Sequence, residues 1–268
     1  MDLGLGLGLR SDFFGVPGVI AAYDPAAQDF FDRLESQLSP DQRSAVNDFI
    51  VGGKASGWWA LADAIWIAKS IFATSTETVL QNMRQDAYNA TRQGTLTLDD
   101  TGSTGDGTTG YWNSGFNPAT AGGNFSQDSS SLGVYSASDV ANANYVELGN
   151  THNSIGARNG NNKVGARSSA STTDQSVAGS PGTGVISTNR ADSTGFAVYI
   201  DGAQLATFTR ASISPASLNL YLGARNNKGV AGNFSARTLR AWWVGAALSE
   251  PQITSRDAAF AALWAGLA

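Results

Sequence analysis

The sequence predicts a mainly β protein: two packed sheets, with a small helical module ahead of them and an extended arm at the N-terminus. Three observations predict it. Between Gly195 and Gly245 apolar and polar residues alternate with a period of two, as half-buried strands require. Asp201-Gly202 interrupts that pattern with a two-residue hairpin signal, since both turn positions favour positive φ. Thirty-one glycines and a charged content of only 15% in 268 residues read as many short strands joined by tight turns.

Taken in order, the chain divides into 1–24, 25–92 and 93–268. In the arm, Leu3, Leu5, Leu7 and Leu9 alternate with glycines. Such a strand presents four leucines on one face and bare backbone on the other, suited to docking on another subunit; a frayed terminus is the simpler alternative. In 25–92, Phe30, Phe31, Leu34 and Leu38 follow helical spacing, and Ser39-Pro40-Asp41 is a helix start that leads to Val46, Phe49 and Ile50. Trp58, Trp59, Leu61, Ile65, Trp66, Ala68 and Phe72 predict a third helix with a wide apolar stripe. Thr76-Glu77 predicts a fourth, with Val79, Leu80 and Met83. These tryptophans need cover, so the helical module is expected to pack on the β domain.

From Gly94 onward, strands are predicted at 95–98, 110–113, 132–136, 145–149, 154–158, 163–168 and 184–188. The C-terminal stretch adds 195–200, 203–209, 218–223 and 238–244, with 225–233 as a polar loop. About ten strands is the size of a single two-sheet jelly roll. Trp242 and Trp243 are adjacent on a strand and must face opposite ways, one into the core and the other under the helical region or onto an outer face. Ser249 caps a last helix, with Pro251 in its first turn.

Two resemblances rest on these residues. A strand ending in Asp201-Gly202 that pairs back, a strand ending in Leu222-Gly223, and a last strand leading into Leu248-Ser249 resemble the C-terminal half of concanavalin A-like, laminin G-type jelly rolls. This resemblance covers 93–268 and implies the fold; such domains often hold calcium at a rim. Within 105–135, Asn117-Pro118-Ala119-Thr120-Ala121 and the run from Ser126 to Tyr135 resemble segments of structural proteins of tailed bacteriophages and prophages. Gly57-Trp58-Trp59-Ala60-Leu61-Ala62-Asp63 and the N-terminal Leu-Gly repeat are similar to parts of the same proteins. That resemblance implies a virion component made in the bacterial cytoplasm, an appendage such as a head spike, head fibre or tail fibre part. Its implied partners are other virion proteins and further copies of itself.

Composition excludes several function classes. The net charge is −5 and no basic stripe occurs, so nucleic-acid binding lacks its main driving force. With no cysteine and a single histidine, His152, neither a thiolate nor a histidine zinc site is expected. The longest apolar run, 58–72, is broken by Asp63 and Lys69, so no membrane span is expected. Met1 to Arg10 lacks the basic start of a secretory signal. Retaining glycoside hydrolysis needs two carboxyl groups about 5 Å apart. The β region holds only Glu147 and Glu250 as glutamates, Glu147 has no acid two or four residues away, and Glu250 suits a helix N-terminus. No catalytic residue and no metal ligand set is therefore assigned, and the chain is not expected to be an enzyme. Asp99, Asp100 and Asp106 lack the spacing of an EF-hand, which leaves a structural calcium ion as the one cofactor in view.

The loops 150–162 and 225–233 are rich in Asn, Arg and Gly, groups that give planar hydrogen bonds suited to sugar hydroxyls but that are also ordinary turn formers. Arg225, Asn226, Asn227 and His152 are the candidate glycan contacts. The expected function is a non-enzymatic structural component of a phage or phage-like particle. The competing one is a glycan-binding module that recognises host surface polysaccharide.

Overall fold

The structure, a computed structural model, describes residues 22–140, 144–171 and 174–268. Leu3, Leu5, Leu7 and Leu9 lie outside the described residues. The chain opens with α1 (Pro25–Arg33) and α2 (Pro40–Ala55), followed by β1 (Ala62–Ile67), β2 (Val79–Leu80) and β3 (Ala90–Gln93). Next come β4 (Leu96–Asp99), β5 (Gly102–Gly105), β6 (Tyr111–Asn113), β7 (Ser130–Ser136), β8 (Leu148–Asn150), β9 (Ser154–Gly156), β10 (Lys163–Arg167) and β11 (Gln175–Ala178). The last third contains β12 (Gly184–Arg190), β13 (Gly195–Ile200), β14 (Ala203–Thr209), β15 (Tyr221–Leu222), β16 (Arg225–Asn227), β17 (Val230–Gly232), β18 (Thr238–Gly245) and α3 (Glu250–Gly266).

The protein is mainly β, a two-sheet jelly roll. One sheet runs β14-β13-β12-β7-β18-β5-β4, with β1 also paired to β18. The other runs β11-β10-β9-β8-β15-β6-β3-β2, with the β16/β17 hairpin attached through β8. All pairings are antiparallel except β16 with β8. Between the sheets lie Trp66, Trp112 and Trp242, each at most 1% exposed. Asp201 and Gly202 both have positive φ, 49° and 80°, as the predicted two-residue turn between β13 and β14 requires.

The two tryptophans of β18 part as expected. The Trp242 ring NH donates to the Glu147 carbonyl in the sandwich interior at 2.8 Å. Trp243 faces the other way and stacks on Phe260 of α3, centroids 4.7 Å apart. Its ring lies over Gly133 of β7 so closely that a Cβ there would come within 1.9 Å of it. Phe49 of α2 joins this layer, 5.2 Å from Phe260. The outer face of the first sheet is thus covered around Trp243 by α2 and α3. Arg256 of α3, 2% exposed, fastens that cover by donating to Ser131 of β7 and Ser187 of β12, each at 3.0 Å.

Three expectations are corrected. The 58–72 stripe is not a helix: its centre is β1, flanked by two short 3-10 turns. Trp66 pairs with Trp242 and Ile65 with Trp243, so β1 meets the sandwich core on one side and the helices on the other. A strand buried on both faces is apolar at almost every position, and periodicity alone cannot separate it from a buried helix. Asp63 and Lys69 are buried here because each has partners. Asp63 accepts from the backbone of Asn124 and Phe125, at 2.6 and 2.8 Å, and Lys69 donates to the Leu267 carbonyl at 2.7 Å. Likewise 76–83 is no helix: Glu77 has φ 53°, ending a turn that leads into β2. β1, which lies within 25–92, pairs with β18 of 93–268. The predicted 225–233 loop is itself the β16/β17 hairpin.

Candidate functional site

Among the described residues the three helices pack with one another and on the first sheet, not on the outer face of the second. Its strands alternate, so Trp112, Leu222, Leu148, Ile155 and Ala166 point inward in one cross-strand row. The neighbouring row, Asn113, Tyr221, Gly149, Ser154 and Arg167, points outward. On that outer face Gly156 of β9 sits directly opposite Gly165 of β10.

This glycine pair floors a cleft of about 280 Å³. Asn144, Tyr145, Asn159, Asp174, Ser176, Arg225 and Asn233 form its walls. The two glycines differ in why they are there. A Cβ on Gly156 would meet the Tyr145 carbonyl oxygen at 2.8 Å, so packing demands glycine. A Cβ on Gly165 would meet nothing within 4 Å. Glycine inside a strand costs about 0.5–1 kcal/mol relative to alanine. Here neither a steric contact nor a positive φ repays that cost, and an open floor where a ligand approaches is the remaining use of such a position.

Charge is concentrated at one end of the cleft. Asp174 is held by Arg225 at 2.8 Å and by Arg167 Nε at 2.7 Å, and accepts from Ser154 Oγ at 2.8 Å. Burial alone would raise the Asp174 carboxyl, but Arg225 and Arg167 outweigh it and hold the group below its ordinary value. Beyond Asn233 the outer face continues into an aromatic cluster. Tyr111 and Tyr221 lie 4.5 Å apart, and Phe234 is 6.0 Å from Tyr111. Amide, guanidinium and carboxylate edges around an open floor, with tyrosine beside them, are groups that bind hydroxyl-rich ligands.

The four candidate contacts separate. Arg225 lines the cleft; Asn226, Asn227 and His152 are not part of its lining. Asn226, 3% exposed, shapes the β16/β17 turn by accepting from Gly229 N and donating to the Asn219 carbonyl. Asn227 is exposed on that hairpin. His152 sits in the β8–β9 turn, its Nδ1 2.9 Å from the Ser214 carbonyl. Sequence reasoning missed the cleft's glycine pair and Asp174. Alternation on β9 and β10 puts each glycine on the polar face, but only the pairing of the two strands brings them together.

Glu147 is fully buried. It faces Arg237 Nε at 3.2 Å and accepts from Ala157 N at 2.6 Å and Ser235 Oγ at 3.0 Å. Burial pushes its carboxyl up, opposed by the Arg237 charge. This is a buried structural tie, and Glu147 is not part of the cleft's lining. Glu250 is the first residue of α3, exposed at the helix N-terminus. Asp106 caps its own turn, accepting from Thr108, Thr109 and Gly110 backbone NH groups, and Asp99 accepts from Thr101. Among the described residues no group of three or more His, Asp or Glu is placed to hold a metal ion. Nor is any helix among them long and apolar enough to cross a membrane.

No protein-family model matches the chain, and no curated protein matches it. Solved structures are similar to it in fold. A mutant of Trypanosoma rangeli sialidase displaying trans-sialidase activity matches with a TM-score of 0.51 and 13% identity, over 79% of this chain and 38% of that one. Trypanosoma rangeli sialidase in complex with 2,3-difluorosialic acid matches with a TM-score of 0.50 and 11% identity, over 80% and 38%. Domain 4 of an extracellular arabinanase from Geobacillus stearothermophilus, in complex with arabinotriose, gives a TM-score of 0.47 and 15% identity, over 74% and 98%. The chain spans about two fifths of the length of the sialidase chains. At these identities the likeness is one of fold, and the class it supports is the two-sheet β-sandwich.

Proposed function

We propose that this protein is a non-enzymatic glycan-binding module and that the glycine-floored cleft on the second sheet is its binding site. The observation that carries the reading is Gly165, a strand glycine with no packing duty at the centre of a ring of planar polar side chains. The buried Glu147–Arg237 pair supports the non-enzymatic part, because the glutamate best placed by sequence for hydrolysis is committed to structure. Retention of purified protein on an array of bacterial surface polysaccharides tests this. Retention that soluble polysaccharide competes away, without release of new reducing ends, is expected. Absence of retention on every polysaccharide would overturn it.

A second reading, favoured by the phage-like segments in 105–135, puts this module on a virion appendage, where the cleft would contact the host surface. The Leu-Gly repeat would then anchor the chain to a neighbouring subunit. Incorporation into particles of a chain lacking residues 2–10 tests that arrangement. Incorporation equal to full length would overturn the anchor.

A further inference from the structure

The protein carries a net charge of −5, yet three cations share the sheet face on which the cleft opens, one of them, Arg225, in its lining. Val164 and Ala166 of β10 are buried, so Lys163, Gly165 and Arg167 share the outer face. Arg225 lines the cleft, while Lys163 and Arg167 flank it without being part of its lining. Against these three cations the cleft sets one carboxylate, Asp174, which both arginines already share. Lys163 makes no ion pair among the described residues. The Nε of Arg225 is buried and has no hydrogen-bond partner among them. Arg167 is pushed below its ordinary value by burial, and Arg225 and Arg210 crowd it further with like charge, while Asp174 opposes them.

Three cations against one carboxylate leave this face with positive charge that a bound anion would offset. A neutral sugar fills the hydrogen-bonding role of the cleft but leaves that excess of positive charge in place. A sugar carrying a carboxylate answers both.

We infer that the ligand of this cleft is an anionic glycan, a polysaccharide with carboxylate-bearing sugars, whose acid group meets Arg225 and Lys163 beside the Gly165 floor. The inference rests on the glycan-binding reading and narrows it to a ligand class. On an acidic protein such a site gives selectivity as well as attraction, because acidic polymers are repelled from the rest of the surface.

The test uses acidic polysaccharides, the same polymers after chemical reduction of their carboxyl groups, and neutral polysaccharides, with full-length protein. Retention on acidic polymers is expected to fall at least tenfold on carboxyl reduction. It should also weaken as salt is raised, since these charges are partly exposed. Lys163→Gln should lower retention severalfold with an unchanged melting temperature, because Lys163 makes no ion pair among the described residues. Equal retention on native and reduced polymers, or preference for neutral ones, would overturn the anionic class while leaving glycan binding intact. Absence of retention on all three sets would overturn glycan binding itself. Undiminished retention of Gly165→Leu on acidic polymers would show that the charge effect acts away from the cleft, and would overturn the inference as well.

Discussion

Replacing Glu147 by glutamine separates a structural glutamate from a catalytic one. The side chain is fully buried, and so is its partner Arg237. Glutamine keeps an oxygen for Ala157 N and Ser235 Oγ but removes the charge that faces Arg237 Nε at 3.2 Å. Arg237 would retain the carbonyls of Ser138, Gly182 and Arg158 and a more distant contact with Asp139 at 3.4 Å. Breaking a buried pair by neutralising one member costs about 3–5 kcal/mol. For a chain of this length that corresponds to a fall in melting temperature of roughly 6–10 °C. Replacing Arg237 by methionine as well removes the uncompensated charge and should recover part of the loss, less what its carbonyl partners lose. Thermal unfolding of Glu147→Gln and of Glu147→Gln/Arg237→Met gives the answer. A loss below about 1 kcal/mol in the single variant would refute the buried tie. Any glycan cleavage by wild type that vanishes in Glu147→Gln would refute the non-enzymatic reading.

Other perturbations have equally definite outcomes. Gly133→Ala puts a methyl group against the Trp243 ring; overpacking of this kind costs about 1–3 kcal/mol, read by chemical denaturation, and an unchanged midpoint would contradict the packing. Asp174→Asn should lower the melting temperature, and the difference from wild type should depend on pH. Arg225 and Arg167 outweigh burial and hold the folded carboxyl below its ordinary value of 3.8, so its contribution is complete above that pH and is lost as pH falls through the folded value. A difference that stays constant from pH 6 down to 2 would contradict the sign. Removing residues 1–67 deletes β1 and exposes the edge of β18 with Trp242 and Trp243, so the remainder should aggregate; a soluble fragment with the full-length melting temperature would contradict the single packing unit.

How much of this was legible depended on whether the signal was local. Asp201-Gly202 and Ser249 act through their own backbone, and both the hairpin and the capped α3 are present; Ser249 and Gln252 complete a capping box. The opposite facing of Trp242 and Trp243 follows from strand geometry alone. The 58–72 run was misleading because β1 is buried on both faces, which erases the period that distinguishes a strand. The short strands β2, β3, β16 and β17 carry little alternation to detect. Of the candidate site, Arg225 was visible as a planar donor in a glycine-rich stretch, but so were Asn226 and Asn227, which serve the hairpin. The cleft is assembled from β9, β10, β16 and the segments before β8 and β11. Its floor depends on Gly156 and Gly165 meeting across two strands, a register that residue identity does not reveal.

The most direct measurement is retention of wild type and Gly165→Leu side by side on the polysaccharide array. Leucine at 165 has space for its Cβ and extends into the cleft, so folding should be unaffected and the melting temperature within about 1 °C of wild type. The account predicts that wild type is retained and that Gly165→Leu loses at least tenfold of that retention while remaining fully folded. Equal retention of the two proteins would contradict it.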